Sequence, residues 1–246
     1  MRMLILSDIH ANAEALRAVL SRVRRKRFDR IACLGDFVGY GAQPNPVLDT
    51  MRTLRRTKLY SRGNHDRVAA GLDDGSTFNQ AARDAAIWTR DHLSAPNRRF
   101  LRDLPAGPLA ADDTLLCHGS PQDEDEYVFT EAHAARIFAE TDAKFVLFGH
   151  THLPAIFWCD DRGGVYGELI ARDATVRLDP SLRYLINPGS VGQPRDRNPE
   201  AGFAILDMKR MSVQFMRVAY DVAKTQSAIL KAGLPSILAY RLTYGT

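Results

Sequence analysis

Three apolar runs near the amino terminus, at 3–9, 30–34 and 58–61, alternate with two amphipathic segments, and this order leaves few architectures open. Between the first two runs, Leu16, Val19, Leu20 and Val23 recur at the i, i+3, i+4, i+7 spacing of one helix face. The spacing predicts a helix over 13–25, with Asn12 accepting from its free first-turn N–H groups. Between the second and third runs, Pro44-Asn45-Pro46 opens a helix to about Arg56, with Asn45 as cap and Pro46 in first position. A βαβαβ order implies parallel strands with helices packed on their faces.

Farther along, the pattern predicts helices over 79–93, 97–104 and 131–140, and two short strands within 109–117. Strands follow over 145–148, 156–159, 165–170, 175–178, 184–186, 203–207 and 213–220. The short loops between them suit antiparallel pairs. A last helix over 222–231 stops at Gly233, where a left-handed cap fits. Neither a linker nor a repeat divides the chain. The expectation is one domain over 1–246, of α/β class, with two stacked mixed sheets and helices outside.

Bulk properties exclude several function classes. With 246 residues, 45% of them hydrophobic, the chain can bury a substantial core. The net charge of +4 is modest, and the arginine clusters at 22–27 and 52–56 lie on predicted helices. They read as solvated faces, which argues against a nucleic-acid partner. No apolar run approaches the ~20 residues of a membrane span. The opening run meets Ser7-Asp8 too early for a signal peptide. Cys33, Cys117 and Cys159 are odd in number and show no C-x-x-C spacing. They read as reduced, mostly buried thiols of a cytoplasmic protein.

The chemistry sits where the strands end. The first run ends in Asp8-Ile9-His10, the second in Gly35-Asp36 and the third in Gly63-Asn64-His65-Asp66. The run before Cys117 ends in His118-Gly119, and the run at 145–148 ends in Gly149-His150-Thr151-His152. The carboxyl ends of strands are where an open α/β sheet places its ligands. His150 and His152 share a face if the chain stays extended there. Each piece alone has an ordinary structural reading, since a strand-end Asp or Asn often just caps the next helix. Together they point to metal.

D-x-H at 8–10, G-D-x-x-G at 35–39, G-N-H-D at 63–66, H-G at 118–119 and G-H-T-H at 149–152 resemble the calcineurin-like metallophosphoesterase superfamily. The stretch INPGSVGQPRD at 186–196 is similar to its bacterial and archaeal phosphodiesterase branch. LGDFVGYGAQPNPV and CHGSPQDEDEYV resemble small prokaryotic proteins grouped with diadenosine tetraphosphatases. The third motif is G-N-H-D where the protein phosphatases and symmetrical dinucleoside-polyphosphate hydrolases have G-N-H-E, and the second lacks their D-R-G. Both departures count against those branches.

The resemblance implies a four-layer α/β/β/α sandwich around two divalent transition-metal ions with a bridging hydroxide. Asp8, His10, Asp36 and His152 would hold one ion. Asp36, Asn64, His118 and His150 would hold the other, with Asp36 shared. Mixed nitrogen and oxygen donors suit Mn, Fe, Co, Ni or Zn. His65 would protonate the leaving oxygen, held by Asp66, unless Asp66 simply caps the following helix. Arg62 and Arg195 are candidates for phosphate contacts. Asn187, Gly189 and Ser190 read as a structural turn, and His92 and His133 as structural. The acidic run 123–126 is a solvated loop or a polyanion-repelling rim. The implied function is a metal-dependent phosphoric ester hydrolase acting on small molecules or nucleotides, most readily a phosphodiesterase. Dinucleoside polyphosphate hydrolysis, monoester hydrolysis and a non-catalytic protein-binding scaffold are the alternatives. A scaffold loses the histidine that this chain keeps at position 65, and a nuclease wants a basic groove that the acidic run does not offer.

Overall fold

Alternate residues of the first two strands bury in opposite directions, and that sets the layering. A computed structural model describes residues 1–246. In chain order its elements are β1 (Arg2–Leu6), α1 (Ala13–Val23), β2 (Arg30–Cys33), α2 (Pro44–Thr53), β3 (Thr57–Tyr60), α3 (Asn64–Ala69), α4 (Gln80–His92) and α5 (Ala95–Arg102). Then come β4 (Leu109–Ala111), β5 (Thr114–Leu116), α6 (Glu131–Glu140), β6 (Phe145–Leu147), β7 (Pro154–Cys159), β8 (Val165–Leu169) and β9 (Ala174–Arg177). The chain closes with β10 (Arg183–Pro188), β11 (Ala201–Asp207), β12 (Ser212–Val218), α7 (Val222–Lys231) and α8 (Ile237–Tyr244).

Leu4, Leu6, Ile31 and Cys33 pack against Leu16 and Val19 of α1 and Leu48 and Met51 of α2. Met3, Ile5, Ala32 and Leu34 point the other way and meet Leu116, Phe145, Leu147 and Ile186 of a second sheet. Strands buried on both faces read as continuous apolar runs, as these do. The far face of the second sheet, with Val146, Phe148 and Leu185, packs on Ile137 and Phe138 of α6. The layers are therefore α/β/β/α. Each fully buried Leu or Ile contributes about 1.5–3 kcal/mol.

The sheets run β3-β2-β1-β11-β12-β9 and β4-β5-β6-β10-β7-β8, and both are mixed. β1, β2 and β3 are parallel, and β11 adds antiparallel to β1 with Met3 opposite Leu206. In the second sheet β6 runs parallel to both β5 and β10, not antiparallel as its short loops suggest. The late strands thus divide between the two sheets, and β9, β11 and β12 complete the first one. Period-2 alternation reports that a strand is buried, not which strand lies beside it.

Local chemistry explains most element ends. Asn12 caps α1, accepting from the Ala15 N–H at 3.1 Å. α1 stops at Val23, so most of the first arginine cluster lies beyond it. Asn45 does not cap α2. The cap is Gln43, and both prolines fall within the helix, in a first turn that needs no N–H. Asn45 instead bridges α4 and α5, donating to the His92 carbonyl and accepting from the Ser94 N–H, both at 2.9 Å. α8 lies where the sequence pattern places no element. Its Leu238 and Leu242 join Tyr40 and Ala85 in a small core. All three cysteines are buried and unpaired. No helix is long and apolar enough to cross a membrane.

Candidate metal centre

Five strands from the two sheets aim their carboxyl ends at one place. β1 delivers Asp8 and His10, β2 Asp36, β3 Asn64 and His65, β5 His118, and β6 His150 and His152. All eight side chains are buried. The loops are tied to one another: Asp8 N–H donates to the Gly35 carbonyl at 3.1 Å, His10 N–H to Asp36 at 2.9 Å, and Gly149 N–H to His118 at 2.8 Å. The end of β10 and the turn after it close the bundle, with Asn187 Nδ2 donating to the Gly149 carbonyl at 2.8 Å and Ser190 Oγ to the Asp8 carbonyl at 2.8 Å. Gly63 is a close approach, because a Cβ there would fall on the Asp36 carboxylate.

The backbone is strained where the donors sit. Asp8 (φ 54), His10 (φ 48), Asp36 (φ 53), His150 (φ 64) and His152 (φ 61) all take the left-handed conformation. Such residues cost about 1–3 kcal/mol each and persist where the surroundings over-determine them. His150 and His152 share the cluster through this turn, not through an extended strand.

Two groups of donors result: Asp8 with His10 and His152, and Asp36 with His118 and His150. In the first, His10 Nε2 and His152 Nε2 are 3.1 Å apart, and Asp8 Oδ1 lies 3.3 Å from His152 Nε2 and 3.8 Å from His10 Nε2. In the second, His150 Nδ1 is 3.0 Å from His118 Nε2, and Asn64 Oδ1 is 3.1 Å from that same nitrogen. Asp36 Oδ2 faces both groups, 3.4 Å from His118 Nε2 and 3.6 Å from His10 Nε2. Asp36 Oδ1 is taken by the His65 N–H at 2.9 Å. A single oxygen, Oδ2, therefore looks toward both groups.

The imidazoles test whether a cation fits. In each ring one nitrogen meets a backbone carbonyl: His10 Nδ1 that of Val38 at 3.1 Å, His118 Nδ1 that of Leu34 at 2.7 Å, His152 Nδ1 that of Gln193 at 2.5 Å, and His150 Nε2 that of Asp125 at 3.1 Å. In a neutral ring, a nitrogen that donates there leaves the other with a lone pair facing the cluster. Two lone pairs cannot bond each other across the 3.1 Å between His10 and His152. Beside them Asp8 Oδ1 is buried with no hydrogen-bond partner. A divalent cation satisfies all three atoms, and the nitrogen and oxygen mix fits a transition metal.

Burial shapes the charges. It pushes His10 and His152 well below the usual histidine range and Asp8 up to about 7. Burial works against His118 as well, but Asp36 outweighs it and pushes this imidazole up to about 10. Asp36 stays far below the carboxylate range because His118 and its neighbours overcome the desolvation.

His65 lines a cleft of about 330 Å³ together with Asp36, Asn64, His150, His152 and Arg195. Its ring packs against Tyr40 at 4.3 Å and Phe78 at 4.5 Å between centroids. Burial pushes it down to about 4, and its Nδ1 has no hydrogen-bond partner. Asp66 is not that partner. Its oxygens accept from the Gly63 N–H at 3.0 Å and the Val38 N–H at 3.2 Å. It caps α3 and ties that helix to the β2 loop, because orphan N–H groups at a helix start draw a buried carboxylate.

The two arginines part company. Arg195 lines the cleft, with Nη2 on Gln193 Oε1 at 3.1 Å and a buried Nε that has no partner. Arg62 is not among the lining residues. Its Nε and Nη2 both donate to Glu124, at 3.2 Å each. The acidic run is partly solvated and partly tied down: Arg67 also binds Glu124 and Asp125, and Asp125, 43% exposed, lines the cleft. His92 and His133 lie on α4 and α6 away from this site, as the sequence predicts. Sequence reasoning missed the cleft's aromatic walls, Tyr40, Phe78 and Tyr127, the last stacked on His150 at 3.9 Å. Tyr40 at least was visible, directly after the G-D-x-x-G stretch. The four carbonyls that orient the histidines carry no sequence signal.

Two mixed sheets with a buried Asp, Asn and His cluster at their strand ends define a metallophosphoesterase fold. Residues 1–211 match the calcineurin-like phosphoesterase superfamily domain, and the chain belongs to that superfamily. An uncharacterized protein of Methanocaldococcus jannaschii is 35% identical over 98% of this chain and 97% of its own length. The crystal structure of a metallophosphoesterase from Sphaerobacter thermophilus superposes with a TM-score of 0.88, at 38% identity, over 100% of this chain and 99% of that one. A hypothetical protein from Pyrococcus horikoshii OT3 shares the fold, with a TM-score of 0.83 at 21% identity over 100% and 98% of the two chains. Members of the family act on phosphate esters, so the chain is a phosphoric ester hydrolase.

Proposed function

We propose that the protein hydrolyses small phosphodiesters or nucleotides at a centre of two divalent transition-metal ions. The observation that carries this reading is the pair of donor groups on either side of Asp36 Oδ2. Asp8, His10, His152 and Asp36 would hold one ion, and Asp36, Asn64, His118 and His150 the other. When bound, such ions supply an activated water and polarise a phosphoryl oxygen. His65 faces the same cleft and would give a proton to the leaving oxygen. Asp66 serves it indirectly, by fixing the start of α3. Arg195 lines the cleft, and its guanidinium would meet a phosphate oxygen there. Three buried thiols support a reducing, cytoplasmic setting.

Preference for diesters rests on the cation count. Arg195 is the only Lys or Arg lining the cleft, and a monoester dianion draws on more. The acidic run adds nothing to this preference, because Arg62 and Arg67 neutralise Glu124 and Asp125. Chelated protein should lose hydrolysis of a nitrophenyl phosphodiester and regain it with Mn²⁺. Full activity after verified metal removal would refute the metal-dependent reading. A monoester preferred more than tenfold in kcat/KM, about 1.4 kcal/mol, would overturn the diester assignment.

A further inference from the structure

The acidic run 123–126 is strapped to α3 by one arginine. Arg67 donates from Nη2 to Asp125 Oδ2 at 2.7 Å, from Nη1 to Glu124 Oε1, and from Nε to Asp73 Oδ2 at 3.0 Å. The Arg67 and Glu124 side chains are only 15% and 17% exposed, so solvent screens this cluster less than a surface pair.

The strapped loop starts at His118. It folds back at once, with Ser120 Oγ accepting from the Asp123 N–H at 3.0 Å. Gly119 lets it do so, since a Cβ there would lie 2.6 Å from the Asp123 carbonyl. The loop then presents the Asp125 carbonyl to His150 Nε2 at 3.1 Å. On its other side, Arg67 sits one turn after Asn64 on α3. Arg67 therefore joins the segments that carry Asn64, His118 and the hydrogen-bond partner of His150. His10 and His152 are oriented by the Val38 and Gln193 carbonyls, outside this loop.

We propose that Arg67 is a positioning residue for the Asp36, His118 and His150 donor group alone. This rests on the two-ion reading above. Donation from Nε2 to Asp125 leaves the His150 lone pair on Nδ1, aimed at the cluster, and partners of this kind govern metal affinity. Without Arg67, only the Arg62 fork on Glu124 still ties the acidic residues to this side, so the Asp125 carbonyl is held less firmly and the His150 ring loses its fixed tautomer and orientation. Lysine is no substitute, because a point charge cannot span Glu124, Asp125 and Asp73 as a fork does.

The test is titration of metal-free wild type, Arg67→Met and Arg67→Lys with Mn²⁺ by calorimetry, with ¹⁵N NMR of the histidine rings. Wild type should bind two ions per chain. Arg67→Met should bind one ion with wild-type affinity and the other about 10–100-fold more weakly. Arg67→Lys should fall between them. The His150 ring signals should lose their fixed Nε2–H pattern while those of His152 keep theirs. Retention of one tight ion itself reports a folded variant. If Arg67→Met does not fold, Asp125→Asn, which weakens only the Nη2 contact, carries the same expectation at smaller size. Unchanged affinities for both ions, or equal weakening of both, would overturn the assignment. Wild type binding fewer than two ions would remove the centre and the proposal with it.

Discussion

His65 shows at the residue scale how surroundings alter a side chain's chemistry. Burial against Tyr40 and Phe78 keeps its ring neutral near pH 7, pushed down to about 4. A neutral ring can only hydrogen-bond a departing oxygen; to protonate it the ring must first take up a proton, which the negative charge of a bound phosphate favours. Replacing it with Gln should leave metal content unchanged and lower kcat by about 10²–10⁴. The loss should be smaller for a nitrophenolate leaving group than for an alkoxide, since nitrophenolate needs little protonation. Steady-state kinetics on both esters, with metal analysis, checks this. An equal loss on the two esters argues against proton donation.

Among the elements, α8 does more for the site than its position suggests. Leu238, Ala239 and Leu242 pack with Tyr40, which in turn lies 4.6 Å from His10 and 4.3 Å from His65 between ring centroids. The end of α8 also touches the loop bearing Arg195, where Arg197 N–H donates to the Gly245 carbonyl at 2.9 Å. Leu242 is 4% exposed. Leu242→Ala should therefore cost about 2–5 kcal/mol, measured by urea unfolding of the metal-loaded protein. A cost under about 1 kcal/mol would show that α8 is peripheral.

For the whole molecule, proton release should accompany metal loading. Asp36 overcomes burial and pushes His118 up to about 10, so that nitrogen is protonated through the neutral range. A divalent ion must displace this proton. Apparent affinity should therefore rise as pH increases from 6 to 9, by about tenfold per unit for each proton displaced, and level off above the His118 value. Asp8, pushed up to about 7 by burial, adds a second proton at the acid end and steepens the slope there. Equilibrium dialysis with Mn²⁺ across that range reads the slope. A flat profile would mean that His118 holds no proton against the metal.

The sequence alone determined the strand ends at which Asp8, His10, Asp36, Asn64, His118, His150 and His152 occur, because a buried strand must be apolar and its donors must follow it. It also determined α1, α6 and α7, whose caps and periodicity are local. Tertiary structure decided the rest. The pairing of β11 with β1 and of β6 with β10 depends on which apolar faces meet, and alternation does not encode a neighbour. The left-handed turns at five donors run against their own propensity and exist only because both sheets hold the loops. Asp66 turned to cap α3, and Arg62 to pair with Glu124, because buried charges take the partner that geometry offers. The histidine tautomers follow from carbonyls as distant in sequence as Leu34 is from His118, and a carbonyl has no signature in a sequence.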